Sequence, residues 1–304
     1  MNILVTGKNG QLGQSIKRLL DEKCFANLSS FSFIFTGREE LNLENLESIQ
    51  SYFVRNDIDI IINCAAYTKV DQAEEDQNQA NLINHNAVRE LAKISKRNKI
   101  KLIHISTDFV FNGHKREPYT EDDKTSPINI YGETKLAGEL AIISTMPFNS
   151  IIIRTGWVYS EFGNNFVKTI LNLATKSNTL DIVSDQIGTP TYAYDLAYSI
   201  LHIVSSKNFL QNEKPTAIFH YSNEGKSSWY EFAKEVISIS GINCHLNPIN
   251  TEDYPLPAKR PKYSILSKKK ISQEYALNIQ HWKDALKACL KNLDNKLPPG
   301  LPGF

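Results

Sequence analysis

Ile3-Leu4-Val5-Thr6-Gly7-Lys8-Asn9-Gly10-Gln11-Leu12-Gly13 lies at the head of the chain, and its reading decides the fold. A short apolar run suits a strand covered by helices on both faces, as in a parallel sheet. Glycines at 7, 10 and 13 follow directly, and Leu12, Ile16, Leu19 and Leu20 then recur at helical spacing. A strand, a glycine-rich turn and a helix in that order make the context a dinucleotide pyrophosphate requires. The glycines permit close approach of backbone, and the helix N-terminus supplies amides and a positive dipole. The spacing is GxxGxxG, not the commoner GxGxxG, and it marks Gly7, Gly10 and Gly13 as candidate cofactor contacts.

Outward from this loop the same alternation continues. Phe31 to Phe35 reads as a second strand, Leu46, Ile49 and Phe53 as a helix, and Ile58 to Asn63 as a third strand. A long helix is predicted through Ile83, Ala87, Leu91 and Ile94, then a strand over 101–105, a helix over 131–144 and a strand over 151–154. Such alternation predicts an α/β fold, a Rossmann-type doubly wound parallel sheet. Beyond Trp157 the pattern loosens. Helices are expected at 164–176, 192–204, 228–240 and 279–293, with strands near 180–183 and 217–221, irregular Pro-rich chain over 247–262 and a frayed tail over 297–304. The expected organisation is a cofactor domain over 1–156, with about 190–221 packing back on it. Residues 157–304 then form mainly a smaller mixed α/β substrate domain.

The totals exclude other classes. The 34 basic and 33 acidic residues are interspersed and leave a net charge of +1, so no field favours nucleic acid or an anionic membrane. The tight basic run Lys268-Lys269-Lys270 reads as a solvated helix start or loop. The cysteines, Cys24, Cys64, Cys244 and Cys289, show no paired spacing, which predicts reduced thiols and neither a disulfide frame nor a zinc site. The N-terminal apolar run is too short for a signal sequence, and no stretch approaches the roughly 18 apolar residues of a membrane span. A soluble cytoplasmic chain is expected.

The chemistry centres on Tyr131 and Lys135. Four residues apart on a helix, the phenol and the ammonium share a face, and a cation there favours the phenolate and prepares the tyrosine as a proton donor. Three strand ends point towards the same edge. The second strand ends at Thr36-Gly37-Arg38, where a basic residue suits the 2′-phosphate of NADPH, with NADH the alternative. Asn63-Cys64-Ala65-Ala66-Tyr67 ends the third with small residues, against which a flat cofactor can lie. Ser106-Thr107-Asp108 ends the fourth with a hydroxyl able to reach the same substrate oxygen as Tyr131.

Taken together, the glycine loop, Asn63-Cys64-Ala65-Ala66, Ser106-Thr107-Asp108 and Tyr131…Lys135 resemble the extended short-chain dehydrogenase/reductase family. Within it, 107–113, Tyr131-Gly132-Glu133-Thr134-Lys135-Leu136-Ala137-Gly138-Glu139, 154–159, 163–166, Asp185-Gln186-Ile187-Gly188-Thr189-Pro190-Thr191 and 254–261 resemble the dTDP-4-dehydrorhamnose reductases, over roughly residues 1–290. The resemblance implies reduction of the 4-keto group of dTDP-4-dehydro-6-deoxy-L-mannose to dTDP-L-rhamnose by NADPH, in cell-surface polysaccharide biosynthesis. It implies Tyr131 as proton donor, Lys135 as holder of the nicotinamide ribose and Thr107 as partner of the developing alkoxide. Gly10, Gln11, Leu12, Asn42, Leu43, Cys64, Ala65 and Ala66 match cofactor contacts by position, and Thr107, Asp108 and Trp157 match sugar contacts.

Arg260 is a candidate for the substrate diphosphate from its charge and its Pro-bounded loop. Asn42 and Cys64 depart from the family's more frequent aspartate and alanine. Some members hold Mg²⁺ between subunits through glutamates, but Gln14-Ser15 and Tyr194-Asp195 supply no convincing match, so a monomer and a homodimer both stay open. A 4,6-dehydratase needs a second carboxylate where Phe109 stands. A related 4-ketoreductase, a 4-epimerase and a non-catalytic NADP-binding regulatory subunit remain the alternatives.

Overall fold

The computed structural model describes residues 1–211 and 213–294. Its central sheet is built from β1 (Asn2–Thr6), β2 (Ser32–Thr36), β3 (Ile60–Asn63), β4 (Lys101–Thr107) and β5 (Ser150–Thr155). Shorter strands follow: β6 (Val158–Tyr159), β7 (Thr179–Val183), β8 (Ile187–Gly188) and β9 (Thr191–Tyr192). The chain then returns to the sheet as β10 (Ala217–His220) and ends its strands with β11 (Ser227–Ser228) and β12 (His245–Ile249). The sheet order is β10-β5-β4-β3-β1-β2, and every pairing in it is parallel. The order reverses at β1, which has β2 on one side and β3, followed by β4 and β5, on the other. That switch opens a crevice at the strands' carboxyl ends.

The helices are α1 (Gln11–Asp21), α2 (Leu46–Arg55), α3 (Gln77–Asn81), α4 (Ala87–Asn98), α5 (Ile130–Thr145) and α6 (Phe166–Ala174). They continue with α7 (Ala193–Ser205), α8 (Lys207–Gln211), α9 (Trp229–Ser240), α10 (Lys269–Tyr275) and α11 (Trp282–Asp294). Alternate residues of the sheet feed two cores. Ile3 and Val5 of β1 pack with Ile16 and Leu19 of α1 and Leu196 and Ile200 of α7. Leu4 faces the other way, with Ile49 and Phe53 of α2 and Leu91 of α4. Each fully buried side chain of this kind stabilises the fold by about 1.5–3 kcal/mol. This two-sided burial is why the first strand reads as an unbroken apolar run. A third core, aromatic in character, joins Tyr159, Phe232, Val236, Trp282 and Leu286 beneath β7 and β12.

Two expectations change. The long helix expected through Ile83 to Ile94 is not continuous α-helix, because a π turn over Leu82–Asn86 separates α3 from α4. Lys268 is not solvated: it is buried and pairs with Glu224 at 3.3 Å, and the helix begins after it at Lys269. The tail expected to fray lies outside the described residues. Among the described residues no helix is long and apolar enough to cross a membrane.

Candidate active site

The glycine loop shapes one wall of the crevice. Gly7 has φ of +72°, a conformation open to glycine, and a Cβ on it would meet the Ala65 backbone at 3.0 Å. A Cβ on Gly13 would stand 2.4 Å from the Gly7 carbonyl oxygen, so only a bare Cα lets α1 start this close to the loop. Gly10 is the N-cap of α1 and offers no side-chain cap, which leaves the first-turn amides for a ligand. An uncapped helix end, a cradle that Cβ atoms would fill and small residues at 64–66 fit a dinucleotide pyrophosphate.

The other candidate cofactor residues are distributed unevenly. Gln11 turns its side chain away from the loop: its Nε2 donates to the Val158 carbonyl at 3.2 Å, and its Oε1 accepts from Ser160 and Asn165 at 2.9 and 3.0 Å. Leu12 and Leu43 are core residues. Arg38 is largely exposed at the end of β2 and pairs with Glu44, while Asn42 accepts from the Glu44 amide at 3.0 Å. The Ala65 amide donates to the Thr6 hydroxyl at 3.1 Å, holding the end of β3 to the end of β1, and Ala66 is half-buried beside it. Burial pushes the Cys64 thiol up, so it is an unionised packing group.

The helix α5 carries Tyr131 and Lys135, both buried. Asn129 caps this helix by accepting from the Gly132 amide at 2.8 Å, and its Nδ2 donates to the Lys259 carbonyl at 2.7 Å. The phenol is buried edge-on to Phe109, at 5.6 Å between ring centroids. Thr107, at the carboxyl end of β4, donates to Asp108 Oδ1 at 3.1 Å and accepts from the Phe109 amide at 3.2 Å. Thr107 and Asp108 meet at the end of β4, and Tyr131 lies on the first turn of α5, while the Lys135 ammonium, one turn on, is engaged elsewhere.

Their electrostatics do not follow the simple picture of a tyrosine lowered by its lysine. Burial pushes Tyr131 up to about 12, with Thr107 opposing and Asp108 adding to the rise. Lys135 is itself brought down to about 8 by burial, against the pull of Glu139. Its ammonium points inward, donating to the Ile105 carbonyl at 2.6 Å. Burial raises Asp108 to about 6, with hydrogen bonds from Ser264 and Thr107 opposing.

The sugar-side candidates come from the second half of the chain. Trp157 takes φ of +52°, rare for a bulky residue, and its indole stacks on Trp229 with centroids 3.4 Å apart and planes 4° apart. Gly188 also lies against that indole, where a Cβ would stand 2.6 Å from it. Arg260 is engaged: it makes a two-pronged pair with Asp71 at 2.6 and 2.9 Å. Among the described residues no group of three or more His, Cys, Asp or Glu side chains could hold a metal ion.

Sequence reasoning missed several residues. Asn84, on the π turn, accepts from the Tyr67 amide at 2.9 Å and donates to Thr134 on α5 at 3.2 Å. It ties the end of β3 to the helix of Tyr131 and Lys135. Trp229, which backs Trp157, and Asp71, which holds Arg260, were missed too. Pairing across about 70 to 190 residues leaves no local signal, and the helical repeat of Ile83, Ala87, Leu91 and Ile94 runs past Asn84 without marking the π turn.

A family model described as RmlD substrate binding domain matches residues 1–295. This chain belongs to that family. Among curated RmlD-family relatives, the spore coat polysaccharide biosynthesis protein SpsK of Bacillus subtilis is 39% identical over 95% of this chain and 96% of its own length. The dTDP-4-dehydrorhamnose reductase of Escherichia coli K12 is 38% identical over 96% of this chain and 98% of its own. Of solved structures, the dTDP-4-dehydrorhamnose reductase of Bacillus anthracis in complex with NADP superposes with a TM-score of 0.87 at 35% identity, covering 96% of this chain and 99% of that one. The doubly wound fold expected from the opening residues is thus the RmlD family's fold.

Proposed function

We propose that this chain reduces the 4-keto group of dTDP-4-dehydro-6-deoxy-L-mannose to dTDP-L-rhamnose at the expense of NADPH. The observation that carries the reading is the burial of Thr107 at the carboxyl end of β4 together with that of Tyr131 and Lys135 on α5, in an RmlD-family chain. NADPH, when bound, supplies the hydride. Tyr131 then donates its phenolic proton to the sugar oxygen, and Thr107 hydrogen-bonds that oxygen as charge develops on it. A phenol held near 12 retains its proton until the oxygen becomes strongly basic, which suits a donor. Gly7, Gly10 and Gly13 admit the pyrophosphate, Arg38 meets the 2′-phosphate, and Lys135 holds the nicotinamide ribose. Asp108, Trp157 and Arg260 bind the nucleotide sugar, Arg260 exchanging part of its pairing with Asp71 for the diphosphate. Phe109, in place of a second carboxylate, favours reduction over elimination.

In this reading residues 1–156, with about 190–221, form the cofactor domain. The packing of α7 on α1 and the pairing of β10 with β5 support that assignment. Residues from 157 onward mainly hold the sugar, and the enzyme works in the cytoplasm as a monomer or homodimer. The test is NADPH consumption at 340 nm by purified protein given the keto-sugar nucleotide, with the product's configuration read by NMR. Stoichiometric formation of dTDP-L-rhamnose is expected; absence of NADPH oxidation would refute the reading.

A further inference from the structure

His104 occupies the middle of β4, wholly buried, one layer behind the proposed proton donor. Its Nε2 lies 3.4 Å from Lys135 Nζ and its Nδ1 lies 3.0 Å from the Asn63 amide nitrogen. Asn63 Oδ1 in turn meets the Thr6 hydroxyl at 2.6 Å, and that hydroxyl accepts from the Ala65 amide. A continuous polar chain therefore runs under the crevice from the cofactor-side strand ends to the lysine.

Hydrogen counting gives this chain an unusual property. A neutral imidazole has one donor and one acceptor. If Thr6 donates to Asn63 Oδ1, the Asn63 NH₂ faces Nδ1, the ring hydrogen must sit on Nε2, and it points at Lys135. That pattern suits a lysine amine, which can accept. An ammonium needs the reverse: a lone pair on Nε2, hydrogen on Nδ1, and the Asn63 amide turned over so that its oxygen faces the ring. Thr6 then accepts from both Asn63 and Ala65, within the two lone pairs of a hydroxyl. The amide fills the same volume either way round.

We propose that His104 is a positioning residue for Lys135, whose ring tautomer, relayed through Asn63 to Thr6, switches with the charge on the lysine. The ammonium form goes with Nδ1–H and the amine form with Nε2–H. The imidazole is neutral in both, so the two states differ by the single proton that Lys135 exchanges with solvent. The charged and titratable groups around Lys135 are few. Glu139 on the same helix is held by Arg154 at 2.7 and 3.0 Å and by Ser106, and Tyr131 lies one turn back with Asp108 behind it. His104 itself is held well below the usual histidine range by burial and by Lys135, which keeps the ring neutral throughout.

The role of Lys135 here rests on the proposed reductase reading, but the decisive readout needs no substrate. In the full-length protein with saturating NADP⁺ and ¹⁵N-labelled histidine, the His104 ring should be protonated on Nδ1 at pH 6.5 and on Nε2 at pH 9.5. A Lys135→Met variant should show one tautomer at both pH values. A single tautomer across that range in the wild-type protein would overturn the proposal, whether or not the chain proves to be a reductase. In kinetics, His104→Leu removes an acceptor for the ammonium, so the alkaline limb of kcat should move down by about one pH unit. His104→Gln, able to donate or accept, should restore the wild-type profile. Identical pH profiles for the wild type and a folded His104→Leu protein would also overturn it.

Discussion

Gly138→Ala tests how α5 is seated, and its outcome can be worked out beforehand. A Cβ at this position would stand 2.2 Å from the carbonyl oxygen of Asn84, on the π turn. A carbon–oxygen contact relaxes to about 3.3 Å, so helix and turn must part by roughly 1 Å. Neither side yields easily, because the obstacle is backbone and Asn84 is bonded to both Tyr67 and Thr134. Overpacking of this kind costs about 1–3 kcal/mol, and the helix preference for alanine over glycine returns up to about 1 kcal/mol. A net loss on the order of 1–2 kcal/mol lowers Tm by about 2–6 °C for a chain of this size. The effect on turnover should be larger than on stability. Tyr131 and Lys135 ride on the displaced helix, and a shift near 1 Å of a catalytic group costs on the order of 100-fold in rate. Thermal unfolding and NADPH oxidation on the same preparation measure both. Unchanged Tm with unchanged kcat would refute the claim that this close contact sets the position of the catalytic helix.

Other outcomes follow from single contacts. Tyr131→Phe removes the proton donor, so kcat should fall by about 10²- to 10⁴-fold, with NADPH affinity by fluorescence titration unchanged. Full activity would eliminate the proposed role. Arg38→Ala should raise the KM for NADPH while sparing NADH, and equal effects on both would remove Arg38 from the 2′-phosphate. Asp108 has its folded pKa raised from an ordinary 3.8 to about 6, so the folded state holds an extra proton between those values. Its stabilising contribution is therefore full below about pH 4 and is lost as pH rises through about 6, a change on the order of 3 kcal/mol. Asp108→Asn should flatten denaturant stability over that window, and an unaltered slope would count against the buried, raised carboxyl. Glu139→Gln breaks the buried pair with Arg154 and should cost about 3–5 kcal/mol, read by denaturant midpoint.

Much of the molecule was legible in its order of residues because the signals are local. An apolar run, three glycines and a helical repeat lie within twenty residues, and each element is dictated by its own backbone needs and two-faced burial. Tyr131 and Lys135 share a face by helical geometry alone, and strand ends in a parallel sheet all face one edge. Contacts between distant segments were not legible. Asp71 with Arg260, Trp157 with Trp229 and Lys268 with Glu224 are brought together by the fold, and nothing near any one of them names its partner. Nor could the spacing show that burial, not the neighbouring ammonium, dominates the Tyr131 phenol. The chain by itself determined the doubly wound sheet, the glycine-rich turn and the placing of Tyr131 and Lys135 on one helix, since those depend on periodicity and backbone conformation. Tertiary structure decided how those groups are charged and what holds them, because desolvation and packing depend on neighbours that sequence distance hides.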